Sequence, residues 1–260
     1  MSDEALVLRA DRDGVATLTL NRPSARNALS IGMMDALQAA LEAIAVDETA
    51  RVVILAGAGP AFCAGHDLKE LRANPDREAY EAIFGQCAKL MTTIVTLPKP
   101  VIARVHGVAT AAGCQLVASC DLAVAAEDAR FATPGVNIGL FCSTPMVALS
   151  RAVSRKQAME MLLTGSLIDA ETARAWGLVN RVVSAAKLED AAATLAAEIA
   201  AKSPLTVAIG KKAFYAQAEL GLGQAYAYCA EVMTTNMLAR DAEEGIDAFL
   251  QKRKPVWEGR

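Results

Sequence analysis

The chain has 260 residues, with 26 Lys+Arg against 29 Asp+Glu, 53% hydrophobic and only 5% aromatic side chains. This balance excludes a disordered, collagen-like or disulfide-scaffold protein. A net charge of −3 leaves no basic footprint for nucleic acid, and a chain of this length can bury roughly 70–75% of its unfolded surface in one sizeable core.

The opening residues, MSDEALVLRA, are acidic where a secretory or mitochondrial leader is basic, so a cytoplasmic protein is expected. Residues 17–20, 51–55, 101–105, 121–125 and 179–183 are short aliphatic or β-branched runs bounded by turn residues and predict buried strands. Between the first two, Ile31, Met34, Leu37, Leu41 and Ile44 recur at helical spacing and predict an amphipathic helix. Residues 57–68 follow a strand and lead toward a short helix at 67–71. Their glycines let backbone N–H groups approach a ligand, but the spacing is not a dinucleotide fingerprint. Residues 106–115 repeat the theme: a strand, a turn of small residues, then an apolar helix ending near Asp121. A helix start there offers free donors and the positive end of a dipole, although tight packing alone also explains small residues.

The charge-free stretch 131–150 contains Thr133, Pro134, Asn137, Ser143, Thr144 and Pro145, which a lipid-facing helix tolerates poorly, so no membrane span is expected. Ser154 with Gln157 and Asp241 with Glu244 have the spacing of capping boxes, and Ser203-Pro204 suits a helix start. From Ser184 onward only helices are predicted, giving an α/β part followed by a helical one with no Ser/Gly linker between them. The six cysteines contain no CxxC and there are only two histidines, His66 and His106, so free buried thiols and no metal site are expected.

Five ordered motifs together resemble the crotonase superfamily, also called the enoyl-CoA hydratase/isomerase family. They are residues 62–69 (FCAGHDLK), 99–103 (KPVIA), 111–116 (AAGCQL) with Cys120-Asp121, 131–134 (FATP), and Gly165 through Ala173 to Gly177-Leu178-Val179. Residues 131–149 and the ending 249–257 are most similar to the subgroup called enoyl-CoA hydratase domain-containing protein 3. The resemblance implies an α/β fold: a spiral of ββα units over residues 1–200 that binds acyl-CoA, and a helical oligomerisation region over 201–260 that forms a homotrimer, or a hexamer as a dimer of trimers. It also implies no resident cofactor, a coenzyme A thioester as substrate or ligand, and an oxyanion hole made by the backbone N–H groups of His66 and Ala112.

Carried over residue by residue, the coenzyme and substrate contacts fall on Arg26, Ala64, His66, Asp67, Leu68, Gly113, Phe249 and Lys252. Lys69, Arg253 and Lys254 are further candidates for the coenzyme's phosphates. The acyl pocket falls on Asn137, Cys142 and Ser143. The two glutamates that activate water in the family's hydratases fall on Gln115 and Gly135, neither of which is a base at neutral pH. Hydratase activity is therefore doubtful, and two alternatives stay open. One is a catalytically silent acyl-CoA-binding or regulatory protein; the other is a thioesterase or another lyase of this fold. Asp67 and Asp121 are read as partners of backbone donors rather than as bases.

Overall fold

The computed structural model describes residues 5–260. β1 (Val7–Arg12) and β2 (Val15–Leu20) form an antiparallel hairpin. Its turn residues Asp13 and Gly14 both have positive φ, at 50° and 80°, as a tight two-residue hairpin requires. α1 (Ile31–Val46) starts at Ser30, whose Oγ accepts the Met33 N–H at 3.1 Å, and it buries Met33, Met34, Leu37, Leu41 and Ile44. β3 (Val52–Gly57) follows, then α2 (Leu68–Ala73) and α3 (Arg77–Thr96). The chain continues through β4 (Val101–Val105), β5 (Val108–Thr110), α4 (Ala112–Ser119), β6 (Leu122–Ala126) and β7 (Arg130–Ala132).

After a 3-10 turn at Pro134–Ile138 come α5 (Pro145–Ala152), α6 (Arg155–Thr164), β8 (Ile168–Asp169), α7 (Ala170–Trp176) and β9 (Arg181–Val183). Only helices follow: a 3-10 turn, α8 (Leu188–Ala200), α9 (Pro204–Ala218), α10 (Leu222–Met237) and α11 (Arg240–Leu250). Among the described residues no single helix is long and apolar enough to cross a membrane.

The large sheet runs β1-β2-β3-β4-β6-β9 and is parallel from β2 onward, while β5-β7-β8 form a smaller sheet. Isolated bridges join Cys63 to Ala109 and Leu29 to His66, in line with the smaller sheet. Successive turns of the chain thus lay one strand in the large sheet and one short extended piece beside it, which makes the expected spiral. The inner strands β3, β4 and β6 are covered on both faces and so read as nearly continuous apolar runs. One face packs with α1, α3 and α4 around Leu18, Leu37, Leu55 and Leu90; the other holds Val52, Ile54, Ile102 and Val124 under Leu188, Ala192 and Ala196 of α8.

Helix α9 is tied to the spiral by a buried cation. Lys211 Nζ donates to the carbonyls of Ile94 and Lys99 at 2.9 and 3.0 Å and to Asp121 Oδ2 at 2.7 Å, while Tyr215 OH donates to Asp121 Oδ1 at 3.0 Å. Asp121 also accepts the Val101 N–H, which agrees with its reading as a partner of backbone donors. The Ser154–Gln157 capping box forms, and Ser203 caps α9 with Pro204 at its first position.

The second expected box does not form. α11 begins at Arg240, and Asp241, fully buried inside it, accepts the Ser203 hydroxyl at 2.6 Å and the N–H groups of Glu258 and Gly259 at 2.7 and 3.1 Å. Glu244 instead pairs with Arg253. Distant donors outcompete the local cap, because two helix starts and the final residues meet on one carboxylate. All six cysteines are free, five buried and Cys229 half-buried.

Candidate active site

Two turns interlock at the end of the spiral. The Cys63 N–H donates to the Val108 carbonyl at 3.1 Å, the Thr110 N–H to the Cys63 carbonyl at 3.0 Å, and Thr110 Oγ1 to the Ala64 carbonyl at 3.1 Å. Gly65 has φ +96°, and a Cβ on it would stand 2.9 Å from the Ala111 Cβ and 3.4 Å from the Ala112 nitrogen. A buried side chain missed at the sequence level, Asn27, holds the approach to the first turn. Its amide donates to the Ala58 and Ala61 carbonyls at 2.9 and 2.8 Å and accepts the Arg22 N–H at 2.9 Å.

The arrangement leaves two N–H groups free. Leu29 bridges to His66 by donating to the Gly65 carbonyl at 2.7 Å and accepting the Asp67 N–H at 3.2 Å, so the His66 N–H faces away from Leu29. Ala112 is the first residue of α4, where no helical acceptor exists for its N–H. Among the described residues neither N–H has an acceptor. Ala111 directs the second one from a conformation rare outside glycine, φ 50° and ψ −118°, and is itself held by donating to the Ala132 carbonyl at 2.9 Å. Such backbone costs about 1–3 kcal/mol and persists only where the surroundings over-determine it.

Both residues line a cavity of about 580 Å³. Its remaining wall is mostly apolar: Leu68, Leu71, Phe84, Ile138, Leu140 and Phe141. Ala64, Gly135, Asn137, Cys142, Ser143 and Thr144 line it too, so the three residues expected in the acyl pocket share one space with the two free N–H groups. The aromatic and aliphatic wall from Phe84 and residues 138–141 was not found from sequence, because α3 is far away in the chain and 138–141 show no periodicity.

Burial lowers the pKa of the His66 imidazole below its ordinary value, and the Leu29 carbonyl beside the ring opposes this; both ring nitrogens are shielded from solvent and neither makes a hydrogen bond of good geometry. An unmet buried polar atom costs about 1–3 kcal/mol. The Cys142 sulfur accepts the Gly135 N–H at 3.3 Å, and burial raises its thiol pKa. Burial pushes the thiols of Cys63, Cys87 and Cys114 up to about 12, so they stay protonated. The Ser143 hydroxyl donates to the Phe141 carbonyl at 3.3 Å.

The two positions of the absent glutamates separate. Gly135 lines the cavity with φ outside the left-handed region, yet a Cβ there would stand 2.7 Å from the Leu140 carbonyl oxygen and 2.9 Å from Cys142 Sγ. Gln115 is 4% exposed and lines a neighbouring cavity of about 550 Å³ with Met91, Val95 and Tyr215; only Thr144 lines both spaces.

Of the coenzyme candidates, Arg26 is exposed with no ionic partner among the described residues, and its carbonyl accepts the Ala64 N–H at 3.0 Å. Asp67 caps α2 by accepting the Lys69 N–H at 2.9 Å and pairs with Arg22 at 2.8 Å, which fits its reading as a partner of backbone donors. Gly113 packs on Cys63. Phe249, 81% exposed, and Lys252 do not line this cavity within the chain; Phe249 lines a groove with Met233, Met237 and Trp257. Arg253 is engaged by Glu244 through two hydrogen bonds of 2.6 and 2.8 Å. His106 Nε2 is bonded to the Gly59 carbonyl at 2.7 Å and so serves the first turn.

A spiral of this topology with two facing donor turns defines the crotonase fold, and the chain belongs to the Enoyl-CoA hydratase/isomerase family, whose sequence model matches residues 10–260. It is 50% identical over 252 residues to a Xenopus laevis protein named Enoyl-CoA hydratase domain-containing protein 3, mitochondrial, covering 97% of this chain and 86% of that protein. The solved structure of human enoyl Coenzyme A hydratase domain-containing protein 3 superposes with a TM-score of 0.94 at 48% identity, covering 97% and 100% of the two chains. An enoyl-CoA hydratase structure from Mycobacterium smegmatis gives a TM-score of 0.96 at 56% identity, covering 98% and 99%. These relatives carry the subgroup resemblance seen in the sequence.

They also overturn the cytoplasmic expectation, since the Xenopus, rat and human relatives are named mitochondrial. The charge of a short N-terminal stretch is a weak guide to compartment, and the first four residues of that stretch lie outside the described residues.

Proposed function

We propose that the cavity receives the acyl end of a coenzyme A thioester, with the thioester oxygen between the N–H groups of His66 and Ala112, and that the site stabilises the thioester enolate. The observation that carries this reading is the pair of N–H groups without acceptors, held by interlocked turns at the wall of an apolar cavity. Donors fixed before the ligand arrives cost no reorganisation as charge develops, and each is worth about 3–4 kcal/mol. The coenzyme's phosphates meet Arg26 and Lys69, and Phe249 and Lys252 of another copy complete the site in a homotrimer, alone or stacked as a hexamer. Supporting the last point, Phe214, Tyr226, Met233, Phe249 and Leu250 are large apolar side chains exposed on α9–α11, of the kind that a protein interface covers.

Water addition across an enoyl-CoA double bond is not part of this reading. Gln115 has no basic form, and Gly135 contributes only backbone. A catalytically silent acyl-CoA-binding protein is the second reading, favoured by the Leu140 carbonyl and Cys142 sulfur, which fill the space where a side chain at 135 would begin.

Thermal denaturation tests the main reading. An acyl-CoA should raise the midpoint by mass action, and the thioether analogue, which lacks the oxygen, should raise it less. Equal shifts remove the oxyanion assignment.

A further inference from the structure

The second cavity, of about 550 Å³, meets the thioester cavity at Thr144, and Gln115 lines it from α4. Much of its wall is apolar, with Met91, Val95, Val147 and Phe214 among the lining residues. Four of its polar side chains are engaged within the chain. Thr92 Oγ1 donates to the Ala88 carbonyl at 2.8 Å, Ser119 Oγ to the Gln115 carbonyl at 2.8 Å, Tyr215 OH to Asp121 at 3.0 Å, and Arg151 Nε to Glu219 at 3.2 Å.

The Gln115 amide is not. The residue is 4% exposed, and the Cys87 thiol, which burial keeps protonated, donates to its Oε1 at 3.9 Å. That contact sets which end of the amide is the acceptor, and among the described residues the Nε2 group meets no acceptor of its own. Nε2 is not one of the unmet side-chain nitrogens sealed from solvent, so it opens on the cavity that its residue lines. A Met or Leu would fill this place without burying an unmet amide, and native interiors rarely leave such groups without a ligand to use them.

We propose that the second cavity takes the far part of the acyl chain and that the Gln115 amide donates a hydrogen bond to an oxygen carried on that chain beyond the β-carbon. The preferred ligand class is an oxygenated acyl-CoA, with a ketone or another acceptor in addition to the thioester. The proposal rests on the thioester reading above. Helix α4 links the two ends: Ala112 and Gln115 lie three residues apart on it, a spacing that puts Cβ atoms roughly 5–6 Å from each other on one side of a helix. Thr144 stands between the two spaces, half-buried, with a short side chain that makes no capping hydrogen bond. One ligand crossing at Thr144 thus reaches both the Ala112 N–H and the Gln115 amide.

The test compares, by calorimetry, the binding of octanoyl-CoA with that of keto-octanoyl-CoAs carrying the ketone at successive carbons beyond the β-carbon. At one position the ketone should tighten binding roughly 3–10-fold over the plain chain, whereas an apolar wall alone penalises a buried ketone. Gln115→Met, which keeps the bulk and removes the donor, should bring that ratio to one or below. A plain chain bound at least as well as every ketone, or a preference that survives Gln115→Met, overturns the proposal. Should Gln115→Met fail to fold, Ala148→Phe, which fills the second cavity from α5, should abolish the preference instead, and its persistence there overturns the proposal. Thermal shifts with acyl-CoA and its thioether analogue separate the two levels. A thioester preference without a ketone preference removes this proposal alone, and equal shifts bring down the thioester reading beneath it.

Discussion

Gly113 sits on Cys63 so closely that a Cβ on it would stand 2.1 Å from the Cys63 carbonyl oxygen. The neighbour is backbone, held by the Thr110 N–H, and cannot swing aside. Gly113→Ala should therefore cost at least about 3 kcal/mol, the upper end of ordinary overpacking, and should weaken acyl-CoA binding by separating the two donor turns. Urea denaturation and the acyl-CoA thermal shift measure both effects. A variant of unchanged stability would show that the turns are not locked together at this point.

Restoring the family's carboxylates should fail for a steric reason. At Gly135 the backbone conformation suits any residue, but the first side-chain carbon meets the Leu140 carbonyl oxygen at 2.7 Å and Cys142 Sγ at 2.9 Å. Gly135→Glu, alone or with Gln115→Glu, should lower stability by about 1–3 kcal/mol. The crotonyl-CoA hydration rate should stay orders of magnitude below the median enzyme turnover of about 10 s⁻¹. Brisk hydration by the double variant would mean that residues 139–142 give way readily; brisk hydration by the unmodified protein would mean that another residue moves the protons.

The lowered pKa of His66 makes a stability prediction with a definite sign. The unfolded chain binds a proton at the ordinary histidine value near 6.5, whereas burial holds the folded ring neutral to lower pH. The folded state is favoured fully above that range and loses ground as pH falls from about 7 toward the folded pKa, where the loss levels off. His66→Gln should flatten this part of the stability curve. Parallel curves for the two proteins between pH 7 and 5 would place the sensitivity elsewhere.

Asp121 and Lys211 form a buried pair whose partners do not compensate each other singly. Asp121→Ala leaves the Lys211 ammonium among the Ile94 and Lys99 carbonyls with its only carboxylate gone, and should cost about 3–5 kcal/mol. The double variant Asp121→Asn with Lys211→Met should recover part of that loss. Equal destabilisation in both, read from chemical denaturation, would show that the charge pairing is not what fixes α9.

Light scattering at micromolar concentration should find trimers or hexamers. A monomer with α9–α11 intact would disprove the proposed completion of the site by Phe249 and Lys252 of another copy.

The sequence made the inner strands of the large sheet readable because parallel strands covered on both faces are plain apolar runs; 101–105 coincides with β4, and the others lie within a residue or two. It hid β1, which is exposed at nearly every position and so carries no burial pattern, and β5, β7 and β8, which are two or three residues long and exist through pairing with distant segments. In the site, the small residues of the two donor turns were legible, and the family resemblance assigned them. The fold of 139–142 back over Gly135 was not, since its cause is contact between one carbonyl, one sulfur and a hydrogen atom in place of a side chain. Asp241 misled for a related reason: its partners lie 17 to 38 positions away.

Ala111 carries a methyl group through a backbone region that glycine enters freely, so in this turn stability and readiness pull in opposite directions. Ala111→Gly would relieve strain in the folded chain while giving the unfolded chain more freedom to lose, about 0.4–1 kcal/mol the other way. The turn itself would gain room to wander before a ligand arrives. A variant with an unchanged melting temperature should then bind acyl-CoA more weakly, the deficit arising wholly in the empty state.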